Sequence, residues 1–137
     1  MDVSFDFKEE GESFWGKIFR PVAKVTFKSP HTDETVTVWM IVDTGADYTI
    51  LPRQWAVKLG IDFVKDCWKL ETSGIGGEKT SYFLKKRIEV NLGGIKKNVP
   101  VAFFDDDQAP ALLGRLGFME LFDTTFFKNK KGIFKSF

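Results

Sequence analysis

The chain has one cysteine, Cys67, and one histidine, His31, in 137 residues. A lone cysteine excludes an internal disulfide and fits a reducing compartment. His31 lies in the turn-like Ser29-Pro30-His31-Thr32-Asp33 and Cys67 in a strand-like context far from it. Neither a zinc site nor a Cys–His nucleophile pair is expected from such a set, and no metal or other cofactor is called for. Charge of one sign is lacking too. A formal net charge of +1 provides no general field for nucleic acid or acidic membranes. Lys85-Lys86-Arg87 and the lysines of Lys128 to Lys131 are offset by Asp105-Asp106-Asp107 and Glu9-Glu10, and all read as solvated surface. No apolar run approaches a membrane span. The start Met1-Asp2-Val3-Ser4-Phe5-Asp6 lacks the basic start and apolar run of a signal peptide. The expectation is a cytoplasmic protein with neither nucleic acid nor membrane as partner.

What is present is ordinary in amount and unusual in kind. With 43% hydrophobic and 28% charged residues, the chain reads as one globular domain over 1–137, burying about two-thirds of its unfolded surface. Fifteen phenylalanines and four tryptophans imply a dense core or a buried interface. Strand signals dominate. Val22 to Phe27 alternates, a Ser-Pro-His-Thr-Asp turn follows, and Thr35 to Val38 alternates into the solid apolar run ending at Val42. Tyr48 to Leu51 is a further short strand. Pro52 sits where a helix starts, Trp55 and Leu59 share a face, and Gly60 ends it. Trp68–Thr72 and Lys79–Leu84 flank a glycine-rich tip, as a hairpin does. Arg87 to Leu92 alternates, Gly93-Gly94 turns, and Val99 to Phe104 is expected to return. Ala111 to Gly114 is a short buried strand, and Arg115 to Phe122 carries apolar residues at helical spacing. Thr124–Phe127 and Gly132–Lys135 flank a lysine-rich turn. The fold class is mostly β with two short helices.

The chemistry centres on Trp39-Met40-Ile41-Val42-Asp43-Thr44-Gly45-Ala46-Asp47. A carboxylate leaves a buried strand into a tight turn, a setting that perturbs a carboxyl pKa and holds the side chain still. Asp-Thr-Gly alone arises by chance in roughly one chain in thirty of this length, and Asp and Gly are common turn residues, so company must decide. Activating water with carboxylates takes two groups in unlike protonation states. The one near repeat, Asp123-Thr124-Thr125, lacks the glycine and precedes an alternating strand. One chain therefore supplies half of such a site. The tip Gly74-Ile75-Gly76-Gly77 fails as a phosphate loop. Lys79 stands where a dinucleotide fingerprint needs glycine, and Glu78 spoils a Walker loop. It reads as a flexible hairpin tip or as a mobile flap over a substrate. Arg115, beside Leu112-Leu113-Gly114, should seek a carboxylate, with Asp47 a candidate. Asp105 to Asp107 reads as an acidic loop before Pro110 rather than a metal site.

These segments, in this order, resemble the retropepsins, the single-domain aspartic proteases of retroviruses and their cellular and bacterial relatives. The resemblance rests on Arg20-Pro21 before the first strand, Val42 to Asp47, the Gly74 to Gly77 tip, Ile88-Glu89-Val90 with its glycine turn, and Ala111-Leu112-Leu113-Gly114-Arg115. It covers roughly residues 20 to 127. The first nineteen residues have no clear counterpart in the family, and a hairpin-like tail follows Phe127. The resemblance implies an acid protease fold, a closed β-barrel of one lobe, acting as a homodimer on peptide or protein substrates. It implies catalytic roles for Asp43, Thr44 and Gly45, with the Thr44 hydroxyl locking the two loops across the two-fold axis. It implies substrate binding by Ala46, Asp47, Gly74, Ile75, Gly76 and Gly77, and support of the site by Leu113, Gly114, Arg115 and Arg20 of the partner. Ile50, Val101 and Ile75 would favour apolar residues beside the cleaved bond. A retropepsin-like domain that binds peptides without cutting is the alternative.

Overall fold

The computed structural model describes residues 1–74 and 77–136. In the first strand, β1 (Asp2–Ser13), Val3, Phe5 and Phe7 alternate with Asp2, Ser4 and Asp6, so the apolar set falls on one face. After Phe7 that alternation ends in Lys8-Glu9-Glu10-Gly11-Glu12, and β1 continues as one arm of a hairpin with β2 (Gly16–Lys28). The long β2 then pairs with β3 (Thr35–Val42), from Val22↔Ile41 to Lys28↔Thr35, the hairpin expected from the sequence. Between them the Ser29 hydroxyl donates to Leu59 O at 2.7 Å and accepts from His31 N and Thr32 N. Val38, Met40 and Val42 face the core, whereas Trp39 is half exposed with Lys8 Nζ 3.7 Å above its ring.

Next come β4 (Ile50–Leu51), α1 (Arg53–Lys58) and α2 (Phe63–Asp66). Pro52 precedes α1 and Gly60, at φ +68, follows it, as its sequence signals require. The hairpin of β5 (Cys67–Gly74) and β6 (Gly77–Leu84) runs in register from Cys67↔Leu84 to Gly74↔Gly77. Then follow β7 (Ile88–Leu92), β8 (Ile95–Val99), β9 (Ala102–Phe104), β10 (Leu112–Leu113), β11 (Asp123–Phe127) and β12 (Lys131–Lys135).

Two expectations are corrected locally. The strand returning on β7 is β8, not Val99 to Phe104, because Gly93 and Gly94 both take positive φ and close a two-residue turn that pairs Leu92 with Ile95. Pro100 then ends that ladder, and β9 pairs instead with β4 and β6. The helix expected over Arg115 to Phe122 is reduced to a 3-10 turn, Met119–Leu121, because Gly117 sits at φ +73, outside the helical region. The second α-helix is α2, capped by Asp62, whose carboxylate accepts from Val64 N and Lys65 N.

The sheet order is β11-β12-β1-β2-β3-β10-β4-β9-β6-β5, with β7 joined to β2 and β8. The expected closed barrel is not formed. The path ends on β11 and β5, and both are surface strands, carrying exposed Phe127 on one and Trp68 on the other. Nothing draws these edges together, because the core is already filled between them. Phe27, Met40, Phe103, Leu113 and Phe118 lie fully buried there. Phe134 packs at a tilt against Phe5 and Phe122, with centroids 4.8 and 5.5 Å away, and so ties the terminal strands to the core. Only part of the aromatic supply goes into this packing, since Phe14, Trp15, Phe19, Trp39, Trp68 and Phe127 are exposed. Among the described residues, no helix is long and apolar enough to cross a membrane.

Candidate active site

The site is built where β3 runs out. The two-residue β10 inserts between β3 and β4, parallel to the first and antiparallel to the second. Asp43 N donates to Leu113 O at 3.0 Å and Ile41 N to Ala111 O at 2.9 Å, so the chain is held up to the carboxylate. The turn then closes on itself. Ala46 N donates to Asp43 O at 3.1 Å and Gly45 N to Asp43 Oδ1 at 2.9 Å. One carboxylate oxygen is thereby oriented by backbone, and Oδ2 has no protein partner among the described residues. Asp43 is half-buried, while Thr44 and Gly45 are exposed beside it.

The segment after β10 clamps the far side of the loop. Gly114 N donates to the buried Thr49 hydroxyl at 3.0 Å, Arg115 N to Ala46 O at 3.0 Å and Leu116 N to Asp47 O at 2.9 Å. The Arg115 guanidinium donates to Asp47 Oδ1, the pairing anticipated from the sequence. Both side chains are more than half exposed, so the pair orients the loop more than it stabilises the fold. Leu113 is fully buried behind Asp43.

The structure thus brings Asp43, Thr44, Gly45, Ala46, Asp47, Leu113, Gly114 and Arg115 together. Arg20 Nε instead donates to Glu10 Oε2 at 2.7 Å. Gly74 and Gly77 form the last rung of the β5–β6 hairpin, whereas Ile75 and Gly76 lie outside the described residues. Asp123 opens β11 opposite Lys135, in the terminal part of the sheet, so it supplies no second carboxylate to the Asp43 loop.

Beside the loop lies a cavity of about 280 Å³ whose walls include Tyr48, Phe83, Leu84, Val101 and Leu116. Tyr48 leans on Phe83, with centroids 5.0 Å apart. Val101 belongs to this apolar wall, whereas Ile50 is buried in the core and does not line this cavity. Sequence reasoning missed Thr49, Tyr48 and Leu116. Each lies next to a motif residue, and only the cross-chain hydrogen bonds and the cavity single them out.

The other titratable groups lie elsewhere. Asp105 and Asp107 both accept from the Arg53 guanidinium, at 3.2 and 3.0 Å. Hydrogen bonding first to Asp107 raises its pKa further above the usual value. Among the described residues, no three His, Cys, Asp or Glu side chains gather as a metal would require. Asp66 accepts from Asp62 N at 2.8 Å and pairs with His31 Nε2 at 2.9 Å, which together hold its carboxyl below the ordinary range. Burial, then the neighbouring Asp66 charge, pushes the Cys67 thiol up to about 11. At pH 8 roughly one molecule in a thousand then carries the thiolate. A chromogenic disulfide reagent at pH 8 should react with the folded protein at least about 100-fold more slowly than with the unfolded chain. Equal rates would contradict this burial.

A carboxylate thus stands at the end of a buried strand, clamped from behind by an apolar-Gly-Arg segment. The chain belongs to the aspartyl protease family, whose family model matches residues 24–116. Its fold is retropepsin-like. It is similar to the crystal structure of a retropepsin-like aspartic protease from Rickettsia conorii, with a TM-score of 0.67 and 20% identity over 97% of this chain and 98% of that one. No match was found among curated proteins.

Proposed function

We propose that the protein is an aspartic endopeptidase formed by two copies of this chain, each acting as one such domain. Asp43 of each copy would contribute to a single active site on the two-fold axis. The observation that carries this reading is the Asp43 loop. One carboxylate oxygen is held by backbone, the other has no protein partner among the described residues, and the chain supplies no second loop of the kind. Two carboxylates about 3 Å apart cannot both ionise, which is how an aspartic-protease dyad comes to share one proton. One keeps a proton and hydrogen-bonds the scissile carbonyl oxygen, while the other takes a proton from the attacking water. The water oxygen then bonds the carbonyl carbon with no covalent enzyme intermediate.

In this reading the Thr44 hydroxyls join the two loops, Gly45 lets the substrate backbone come close, and Ala46 and Asp47 bind peptide main chain. Arg115 braces Asp47, with Leu113 and Gly114 behind it. Arg20 of one copy would exchange Glu10 for Asp47 of the other. The β5–β6 hairpin, with its tip at Gly74, Ile75, Gly76 and Gly77, would cover an extended peptide held strand-like. The cavity beside Tyr48 and Val101 would take an apolar substrate side chain. No cofactor is needed, and a single buried free cysteine suits action in the cytoplasm.

The test is turnover of a peptide library across a dilution series. Specific activity should fall toward zero as protein concentration drops below the dimer dissociation constant, since a monomer holds half a site. Activity that is independent of concentration would reject the shared site. Tight binding without turnover would assign the fold to peptide recognition.

A further inference from the structure

Beyond Arg20, the tip of the β1–β2 hairpin has no part in the proposed site. In the register Val22↔Ile41, Asp43 stands level with Arg20, so every residue of β2 before Arg20 lies beyond the end of β3. From Arg20 to Trp15 this arm reaches about 17 Å past the Asp43 loop, at the usual rise of a strand. Its shaft is preformed. Lys17 Nζ meets Glu9 at 3.1 Å and Arg20 Nε meets Glu10 at 2.7 Å across the two strands. Its tip is closed by the Ser13 hydroxyl, which donates to Gly16 O at 2.8 Å and accepts from Trp15 N at 3.2 Å. On that tip Phe14 and Trp15 are 93% and 91% exposed, their rings edge to face at 5.2 Å. The fold gains nothing from so much apolar surface held in water.

We propose that this aromatic tip grips a second copy of the same chain, making the arm a clasp of the dimer. The inference rests on the reading that a second copy completes the Asp43 site. A two-fold axis at the Asp43 loop sets that copy in the space beyond the end of β3, the space the arm enters. The chain ends are already engaged within one molecule. Met1 N donates to Ser136 O at 3.0 Å and Ser136 N to Met1 O at 2.9 Å, with β1 paired to β12. Their backbone therefore does not require the partner. Two-fold symmetry repeats the contact, each copy contributing its own tip, so the dimer buries two Phe14–Trp15 pairs.

The experiment is sedimentation equilibrium of the full chain and of the Phe14→Ser/Trp15→Ser variant. Both side chains are exposed, so the far-ultraviolet circular dichroism of the variant should match the original. The dimer dissociation constant should rise about 100-fold or more, as for the loss of central aromatic anchors. The Phe14→Tyr/Trp15→Phe variant should stay within a few-fold of the original. Without any substitution, hydrogen exchange over residues 12–17 should slow as concentration is raised through the dissociation constant. An unchanged constant in the serine variant, exchange at the tip that ignores concentration, or a chain that remains monomeric overturns the proposal. Cleavage is read separately. A dimer that depends on the tip yet cleaves no peptide sinks the protease reading and leaves the clasp standing. A cleaving enzyme with an unaltered dimer constant does the reverse.

Discussion

Asp43→Asn should lower peptide cleavage at least about 1,000-fold, within the range for losing a positioned acid–base group, while leaving fold and dimer intact. The variant carries two amides where the proposed dyad needs one carboxylate to take a proton from water and one acid to donate to the carbonyl. Neither role survives. The structural role of the side chain does survive, because Asp43 Oδ1 accepts from Gly45 N and the amide oxygen of Asn can do the same. The thermal midpoint should therefore move little, and sedimentation should report the same dimer. Activity and stability measured on one preparation separate the two. Retained cleavage in this variant would remove Asp43 from the chemistry.

Gly114→Ala should lose stability as well as activity, unlike Asp43→Asn. A Cβ there would lie 2.3 Å from the Tyr48 carbonyl oxygen and 2.4 Å from its carbon. These are backbone atoms of the loop that Gly114 N itself holds through Thr49, so relief requires pulling that loop off the clamp. Overpacking against rigid backbone should cost about 3 kcal/mol, or a fall of about 10 °C in melting temperature for a chain of this size. Activity at temperatures where the variant is folded should also fall, because Asp43 N is bound to the adjacent Leu113 O. Calorimetry showing an unchanged midpoint would contradict the close packing behind the site.

Much of the architecture is legible in local pattern. Alternation predicts the β2–β3 hairpin, the two arms of β5–β6 and the terminal β11–β12 hairpin. The elements that depart from local pattern share a cause, since each is decided by one residue or one distant partner. Apolar spacing over 115–122 looks helical, but the positive φ of Gly117 interrupts it. The strand returning on β7 starts earlier than its apolar run suggests, because two glycines turn the chain at once and make Ile95 the first partner. The arm is absent from the sequence reading, which assigns no strand before Val22, although Val3, Phe5 and Phe7 of β1 do alternate. The projection of its Phe14–Trp15 tip depends on the register of β2 with β3, which no local signal carries.

The residues of the Asp43 loop, and the lack of a usable second copy of it, were determined by the amino-acid sequence alone. A carboxylate after an apolar run and before a glycine is a local statement, and local chemistry is what sequence patterns record. Tertiary structure decided what holds that loop and what lies around it. Gly114 reaches Thr49 across 65 positions, a contact no local pattern offers, while Arg115 reaches across 68 to Asp47, the candidate partner that the sequence offers. β10, Leu112–Leu113, is the short buried strand expected over Ala111 to Gly114, but its place between β3 and β4 is a matter of pairing that no local pattern carries. The open sheet likewise follows from which edges meet in space. Packing brings distant residues together because burying apolar surface acts on the whole chain at once, without regard to separation in sequence.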